Sequence, residues 1–431
     1  MITTAMFPLI FGLVSSLVIL SYIGQGDSAG SSSGQGEIMY EWLVVEYDWP
    51  SETMRRQFEA DCRYNASHNL ISGIKTYKLL KNRCCINITV FLFSLRGQVY
   101  LSVPRLKYTT GVPSTLNKVI QKGNQSVLTP FPDWASQELG NCSALQCAMS
   151  MEVDPITGYM YVIDPGRSGI FGDISGQPPP VICPPKLVVY NLNDGSLVRS
   201  HDFPEDLVSN KTNFLNDIVI DRGSPTSKSA KWVYITDAVD SKLIHESMDY
   251  EEGDGSNITV NGISYILKTP IDGLAMSSDF EYVYYCALGK KGADFGSKVR
   301  LVGEKASQTG GMTYATDNLY YGALTKNSVY KWEIKTETEI LKDDEKLEWP
   351  DSFTVDEDGF LWFTACRAQL FLLGGIDFSG VKGANFRVWR VSISENGYLA
   401  PRVGQLRGGN GVCSWSGALV NVIPALVLAW R

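Results

Sequence analysis

Histidine is scarce in this chain of 431 residues: there are three, His68, His201 and His245, and they are scattered. No Cys-x-x-Cys pair accompanies them, so the sequence encodes no zinc site of ordinary ligand spacing. A Gly-rich phosphate loop, a Gly-x-Ser-x-Gly elbow, a His-Glu-x-x-His helix and an EF-hand loop are also missing. His201 sits in the turn-like Ser200–Asp206 and reads as a surface residue, and nothing local marks a Ser–His–Asp triad. No cofactor and no resident metal is therefore expected. An excess of positive charge is lacking as well. The formal net charge of -8 excludes the basic face that nucleic-acid binding needs.

Long apolar runs occur only at the two ends. Met6–Tyr22 carries no charge and is followed by Gly24-Gln25-Gly26. It reads as a secretory signal peptide over residues 1–26, with a signal anchor as the competing reading because no Lys or Arg precedes it. Residues 27–36 form a Gly/Ser-rich leader. Ala418–Trp430 is too short to span a bilayer. With Gly408, Gly409, Asn410 and Gly411 before it, the tail 401–431 resembles a lipid-anchor signal, the only membrane contact expected. The alternative is a loosely packed tail whose Cys413 is free or paired.

Between these ends, a strand–turn–strand pattern recurs. The copies are MEVDPITGYMYVID from Met151, DIVIDRG from Asp217 with KWVYITDA from Lys231, GLAMSSDFEYVYYCAL from Gly273, MTYATDNLYYGAL from Met312 and FTVDEDGFLWFTAC from Phe353. Asp154, Asp221, Asp279, Asp317 and Asp356 mark them. A hairpin-like run from Cys84 to Leu106 lacks the Asp and gives a sixth unit. Units of about 40–50 residues, rich in Val, Ile, Tyr and Trp and broken by Gly and Asp, predict β-propeller blades rather than helical repeats. The expected fold is all-β, a six-bladed propeller over residues 37–400. A strand near Glu41 to Glu46 would close it by pairing with the last blade near Asn385 to Ile393, which removes exposed edges.

Six sequons, at Asn65, Asn87, Asn124, Asn141, Asn210 and Asn257, agree with passage through the secretory route. In that setting most of the cysteines Cys62, Cys84, Cys85, Cys142, Cys147, Cys183, Cys286 and Cys366 are expected to pair, with connectivity open.

Several unusual strings stand in order along the chain. They are Trp42, Tyr47, Trp49 and Pro50; then Pro104, Arg105, Gly111, Pro113, Thr115, Leu116 and Asn117; then Pro132, Asp133 and Trp134; then Cys183, Pro184, Pro185, Lys186 and Leu187. Together they resemble the yellow / major royal jelly protein family, from about residue 39 to about residue 393. Asp164-Pro165-Gly166-Arg167 and Ala365-Cys366-Arg367 depart from the family's pattern, which makes this a divergent member. Without the family, Trp49-Pro50 and Pro132-Asp133-Trp134 read as packing corners. Arg105 reads as either a buried ion-pair partner or a ligand contact.

A propeller binds small molecules at one mouth of its channel, among residues just before the blade hairpins. The candidates are Asn216, Asp217, Asp272, Thr313, Ser352 and Arg367, with Phe371 as an aromatic wall. For each Asp the plain alternative is turn capping. Acidic and hydroxyl groups beside aromatic rings suit a protonated aryl amine. The resemblance implies such a ligand too, since some relatives bind biogenic amines in the channel. It also implies a second reading, an enzyme converting dopachrome-like quinones, with no base assignable. A third comes from similarity to gluconolactonase-like hydrolases, whose divalent ion would need a set such as Glu152, Asn216 and Asp272. A structural extracellular glycoprotein is the fourth.

Overall fold

The computed structural model describes residues 36–78, 97–171, 180–238, 257–267, 271–286, 302–333 and 335–400. All belong to one compact unit, Gly34–Arg431. The signal-peptide stretch, the leader up to residue 35, Cys84, Cys85, Asn87 and the tail with Cys413 lie outside the described residues.

The fold is all-β and consists of small antiparallel sheets. The chain opens with β1 (Glu37–Trp42) and the helix α1 (Glu52–Ala60), which the Ser51 hydroxyl caps by accepting from Met54 N at 3.1 Å. One sheet follows in the order β2 (Ile74–Tyr77), β3 (Gln98–Ser102), β4 (Leu116–Lys122) and β5 (Gln125–Pro130). The next holds β6 (Met151–Asp154), β7 (Tyr159–Asp164), β8 (Lys186–Asn191) and β9 (Leu197–Asp202). Three hairpins come after it: β10 (Leu215–Asp221) with β11 (Trp232–Asp237), β12 (Asn257–Val260) with β13 (Ile263–Ile266), and β14 (Leu274–Met276) with β15 (Val283–Tyr285). Another four-stranded sheet is β16 (Met312–Tyr314), β17 (Leu319–Ala323), β18 (Ser328–Glu333) and β19 (Thr336–Lys342). In the last, β20 (Pro350–Val355), β21 (Phe360–Ala365) and β22 (Phe386–Ser392) are joined by β1. The short helix α2 (Ala368–Leu373) links β21 to β22.

The marking aspartates explain the hairpins. Asp154 Oδ1 accepts from Ile156 N at 3.0 Å, Asp279 Oδ1 from Glu281 N at 3.0 Å, and Asp356 Oδ1 from Asp358 N and Phe360 N at 2.9 Å. Each carboxylate thus closes its own turn. Asp317 departs, since its turn is held through its N–H, bonded to Glu395 Oε2 at 3.2 Å. In the β6–β7 turn, Gly158 adopts φ 69°, and a Cβ there would stand 2.5 Å from the Tyr77 hydroxyl. A residue with a side chain would be both strained and obstructed.

Burial grades across two of the four-stranded sheets, β6–β9 and β16–β19, and the middle strands of the last sheet are buried as well. The middle strands β7, β8, β17 and β21 are buried almost throughout, whereas the outermost strands β9 and β19 are mostly exposed. Strands covered on both faces read as continuous apolar runs, as Phe360–Ala365 does. The first strands meet their neighbours in cyclic order: β2 with β6, β6 with β10, β10 with β14, β14 with β16, β16 with β20, and β20 with β2.

Three expectations need correcting. An N-terminal strand does pair with β22, but it is Glu37–Trp42, which overlaps Glu41 to Glu46 only at Glu41 and Trp42, with Glu37 opposite Arg390 and Trp42 opposite Phe386. The later residues are drawn to the first sheet instead. Leu128 N donates to Glu46 O and Asp48 N to Leu128 O, both at 2.8 Å. Arg105 is buried, but among the described residues it makes no ion pair, and it is not on the wall of either cavity. Its guanidinium donates to the carbonyls of Val112 at 3.1 Å, Gln137 at 3.3 Å and Gln146. Among the described cysteines, Cys142 and Cys183 are bonded, while Cys147, Cys286 and Cys366 are buried thiols and Cys62 is an exposed one. The buried thiols serve as small core residues: those of Cys286 and Cys366 donate to backbone carbonyls of Gly273, Thr309 and Trp349.

The aromatic corners do pack, with Trp49 and Trp134 stacked at 5.1 Å. Asn65, Asn124, Asn141 and Asn257 are exposed and Asn210 is half-buried. No described helix is long and apolar enough to cross a membrane.

Candidate functional site

The first strands surround a cavity of about 90 Å³. Loops at the end where these strands begin, together with Leu372 of α2, supply its apolar rim: Leu70, Leu106, Phe171, Phe214 and Leu267. Next along the walls come the strand starts, and these are polar. Ser72 precedes β2, Ser150 precedes β6, Asn216 and Asp217 open β10, Asp272 precedes β14, and Asp351 and Ser352 open β20.

Three carboxylates meet here, and they are not equally satisfied. Asp217 accepts from Ile218 N at 2.9 Å, Ser150 Oγ at 3.0 Å and Leu274 N at 2.9 Å, which occupies both oxygens. Asp351 accepts from Ser72 Oγ at 3.0 Å and Trp349 Nε1 at 3.3 Å, again one donor or more on each oxygen. Asp272 takes a hydrogen bond on Oδ1 from Asn216 Nδ2. Its Oδ2 has no donor among the described residues. Gly310 allows the last two to converge: a Cβ there would stand 2.8 Å from Asp351 Oδ1 and 3.5 Å from Asp272 Oδ2.

Burial raises all three pKa values, and repulsion from neighbouring carboxylates adds to it for Asp272 and Asp351. Asp272 is held well above the usual carboxylate range, by desolvation first and then by Asp351 and Asp217. Desolvation pushes Asp351 up to about 6, against the hydrogen bonds from Ser72 and Trp349. Asp217 is raised by desolvation, opposed by Lys75 and its donors. The same cavity holds one close ion pair, Lys75 Nζ to Glu152 Oε2 at 3.1 Å. Tyr398 also donates to Glu152 Oε2, at 3.2 Å. Desolvation raises the Glu152 pKa despite Lys75. Lys75 is thus largely committed to Glu152, while Lys305 acts weakly on Asp272.

Of the residues predicted from sequence, Asn216, Asp217, Asp272, Thr313 and Ser352 come together on the cavity wall. Arg367 and Phe371 do not. Arg367 is buried against Glu348 Oε1 at 2.9 Å and Asn385 Oδ1 at 3.1 Å. Phe371 turns into the core at 2% exposure, leaving its neighbours Ala368 and Leu372 on the wall. A helix start separates these side chains by 100° per residue, so one residue of error moves a side chain off the wall. In the set Glu152, Asn216 and Asp272, the last two touch, but Glu152 is turned to Lys75 and Tyr398. Among the described residues no group of three His, Cys, Asp or Glu is placed to hold a metal ion.

Sequence reasoning missed Ser72, Lys75, Ser150, Trp349, Asp351 and Tyr398. Asp351 was within reach, since it precedes the β20 run as Asp217 precedes the apolar part of β10. Ser72 and Lys75 were not, because the first inner strand is Ile74–Tyr77 and lies before the run that marked that unit.

The description Major royal jelly protein fits residues 146–251 and 276–397, more than half of the chain. The chain belongs to the major royal jelly protein family. Major royal jelly protein 8 of Apis mellifera is 25% identical over 311 residues, covering 66% of this chain and 64% of that protein. Major royal jelly protein 9 of Apis mellifera is 24% identical over 305 residues, covering 67% and 62%. The matches to these royal jelly proteins thus span less than two thirds of their length. Among solved structures, the PQQ-bound aldose sugar dehydrogenase of Streptomyces coelicolor is 11% identical with a TM-score of 0.38, covering 83% of this chain and 98% of that one. A glucose dehydrogenase is 11% identical with a TM-score of 0.42, covering 76% and 98%. At such scores nothing is transferred from either. Within this royal jelly family member, Asp217 and Asp351 lie inside the matched segments, whereas Asp272 falls between them.

Proposed function

We propose that this chain is a secreted six-bladed propeller glycoprotein that binds a small aromatic or biogenic amine in its central cavity. The observation that carries the reading is Asp272 Oδ2, a carboxylate oxygen without a donor among the described residues, beside Asp351 and Asp217. A ligand ammonium would supply the missing donor and offset the like-charge repulsion. Phe171, Phe214, Trp349 and Phe353 on the walls suit the aryl part, and a cation held near such rings gains about 0.5–2 kcal/mol. The cyclic contacts of the first strands support the six-bladed reading. The charge-free run Met6–Tyr22 and the exposed sequon residues Asn65, Asn124, Asn141 and Asn257 support secretion and glycosylation. On this reading the boundaries are 1–26 for the signal peptide, 27–36 for the leader, 37–400 for the propeller and 401–431 for the tail.

The test is a calorimetric and thermal-shift screen of the full chain, purified from the medium of expressing cells. The panel holds serotonin, dopamine, histamine, dopachrome and calcium, with dopachrome absorbance followed in parallel. Saturable amine binding without turnover is expected. Catalysed loss of dopachrome would replace the reading with an isomerase, and silence across the panel would leave a structural glycoprotein. Retention of the chain inside the cells would contradict secretion.

A further inference from the structure

A second cavity, of about 60 Å³, lies at the opposite ends of the first strands, beside the turn residues Pro155 and Asp356. Lys75, Glu152, Thr313 and Tyr398 line both cavities. Three of these stand on first strands, while Tyr398 comes from behind β22.

The segment carrying Tyr398 is fixed on several sides. Gly397 bridges to Ala315, and Tyr398 N donates to Tyr314 O at 3.2 Å. A Cβ on Gly397 would stand 3.1 Å from Val355 O, so the segment also lies close on β20. The Tyr398 hydroxyl accepts from Ile220 N at 2.9 Å and donates to Glu152 Oε2 at 3.2 Å. The ring is 8% exposed. It is therefore held by the β6, β10, β16 and β20 sides of the ring of strands and stands between the two cavities. Ile220 is three residues along β10 from Asp217, about 10 Å at the rise of a strand. Ile74, Ile218 and Phe353 line the larger cavity and provide apolar wall for that interval.

Building on the amine reading, we propose that Tyr398 is the floor of the ligand cavity and sets the longest ligand it accepts, the aryl end pointing from Asp272 toward the phenol ring. Asp217 accepts from Leu274 N, two residues past Asp272, so the interval of about 10 Å along β10 measures the depth from the carboxylates to Tyr398. It accommodates one aryl ring on a two-carbon linker, and a second ring in line would meet Tyr398. Removing the side chain would join the two cavities into a passage. The phenol hydroxyl has a separate role: it orients Glu152 and so keeps Lys75 paired.

Phenylethylamine and its longer, rigid analogue 2-(biphenyl-4-yl)ethylamine separate these effects in calorimetric titrations of the full chain. The wild type should bind the longer amine at least tenfold more weakly than the shorter. Tyr398→Phe, which keeps the ring, should retain that ratio. Tyr398→Ala should bring the ratio close to one or reverse it. If thermal melting shows Tyr398→Ala to be unfolded, Tyr398→Leu should give a smaller shift in the same direction. Equal binding of both amines by the wild type, or an unchanged ratio in a folded Ala or Leu variant, would overturn the floor while leaving amine binding intact. Failure of both amines to bind the wild type would sink the amine reading and the floor together.

Discussion

Buried charge occurs in two arrangements in this protein, and the contrast separates structure from site. At strand ends and in connecting segments it is paired by opposite charge. Arg222 meets Asp154, and Arg367 meets Glu348, with Gln369 donating to the second Glu348 oxygen at 2.8 Å. In the cavity, three carboxylates gather while the nearby Lys75 is occupied by Glu152 and Lys305 acts only weakly on Asp272. A paired charge meets its counter-charge at folding, even where single atoms such as Asp154 Oδ2 and Arg222 Nε stay without a hydrogen bond. A cluster of one sign keeps an unmet demand that a ligand can fill.

Breaking the pair of Arg367 with Glu348 should have the largest effect. Arg367→Met leaves Glu348 buried without its cation, and such a loss costs about 3–5 kcal/mol. The melting temperature should fall steeply, while any protein still folded should bind the amine as before. A stability loss confined to the noise would show that Gln369 alone satisfies Glu348.

The cavity cluster should make stability depend on pH. Its carboxyls have folded pKa values above their unfolded ones, with Asp351 at about 6. The native state then holds more protons than the unfolded chain between that value and an ordinary carboxyl pKa of about 4. Their contribution therefore destabilises the empty protein at neutral pH and fades as pH falls through this window. Asp351→Asn should accordingly melt a few degrees higher than wild type at pH 8, with the gain about halved at pH 5 and gone below about pH 4. Amine affinity should run the other way and weaken as pH drops below about 6, because the ammonium needs ionised partners. A gain from Asp351→Asn that persists unchanged at pH 5 would refute the account of the cluster.

The smallest effect belongs to the surface. Arg390 and Glu37 meet at 2.7 Å across β1 and β22, but an exposed pair contributes about 0–1 kcal/mol. Glu37→Gln should shift the melting temperature barely, leaving the strand pairing in place by hydrogen exchange.

The fold was more legible than the site because its signals are repeated. Asp154, Asp279 and Asp356 each close a local turn, so the chain announces its hairpins from within a few residues. Asn216, Asp217, Asp272, Thr313 and Ser352 could be placed because they stand beside those hairpins. Tyr398 could not, since it reaches the channel from beyond the last repeat and touches Glu152, 246 residues away in sequence. Arg367 misled for a related reason. Its charge near a strand end resembles a ligand contact until Glu348 is seen beside it. The cysteines misled because a buried thiol and a half-disulfide look alike in sequence.

Asp272 offers the most direct test. Asp272→Asn removes the charge with little change in shape, so the empty variant should melt at the wild-type temperature or slightly above it. Its affinity for the amine found in the screen should fall at least tenfold by calorimetry. Unchanged affinity with a sharply lowered melting temperature would contradict the account, because it would make Asp272 a structural residue and place the ligand elsewhere.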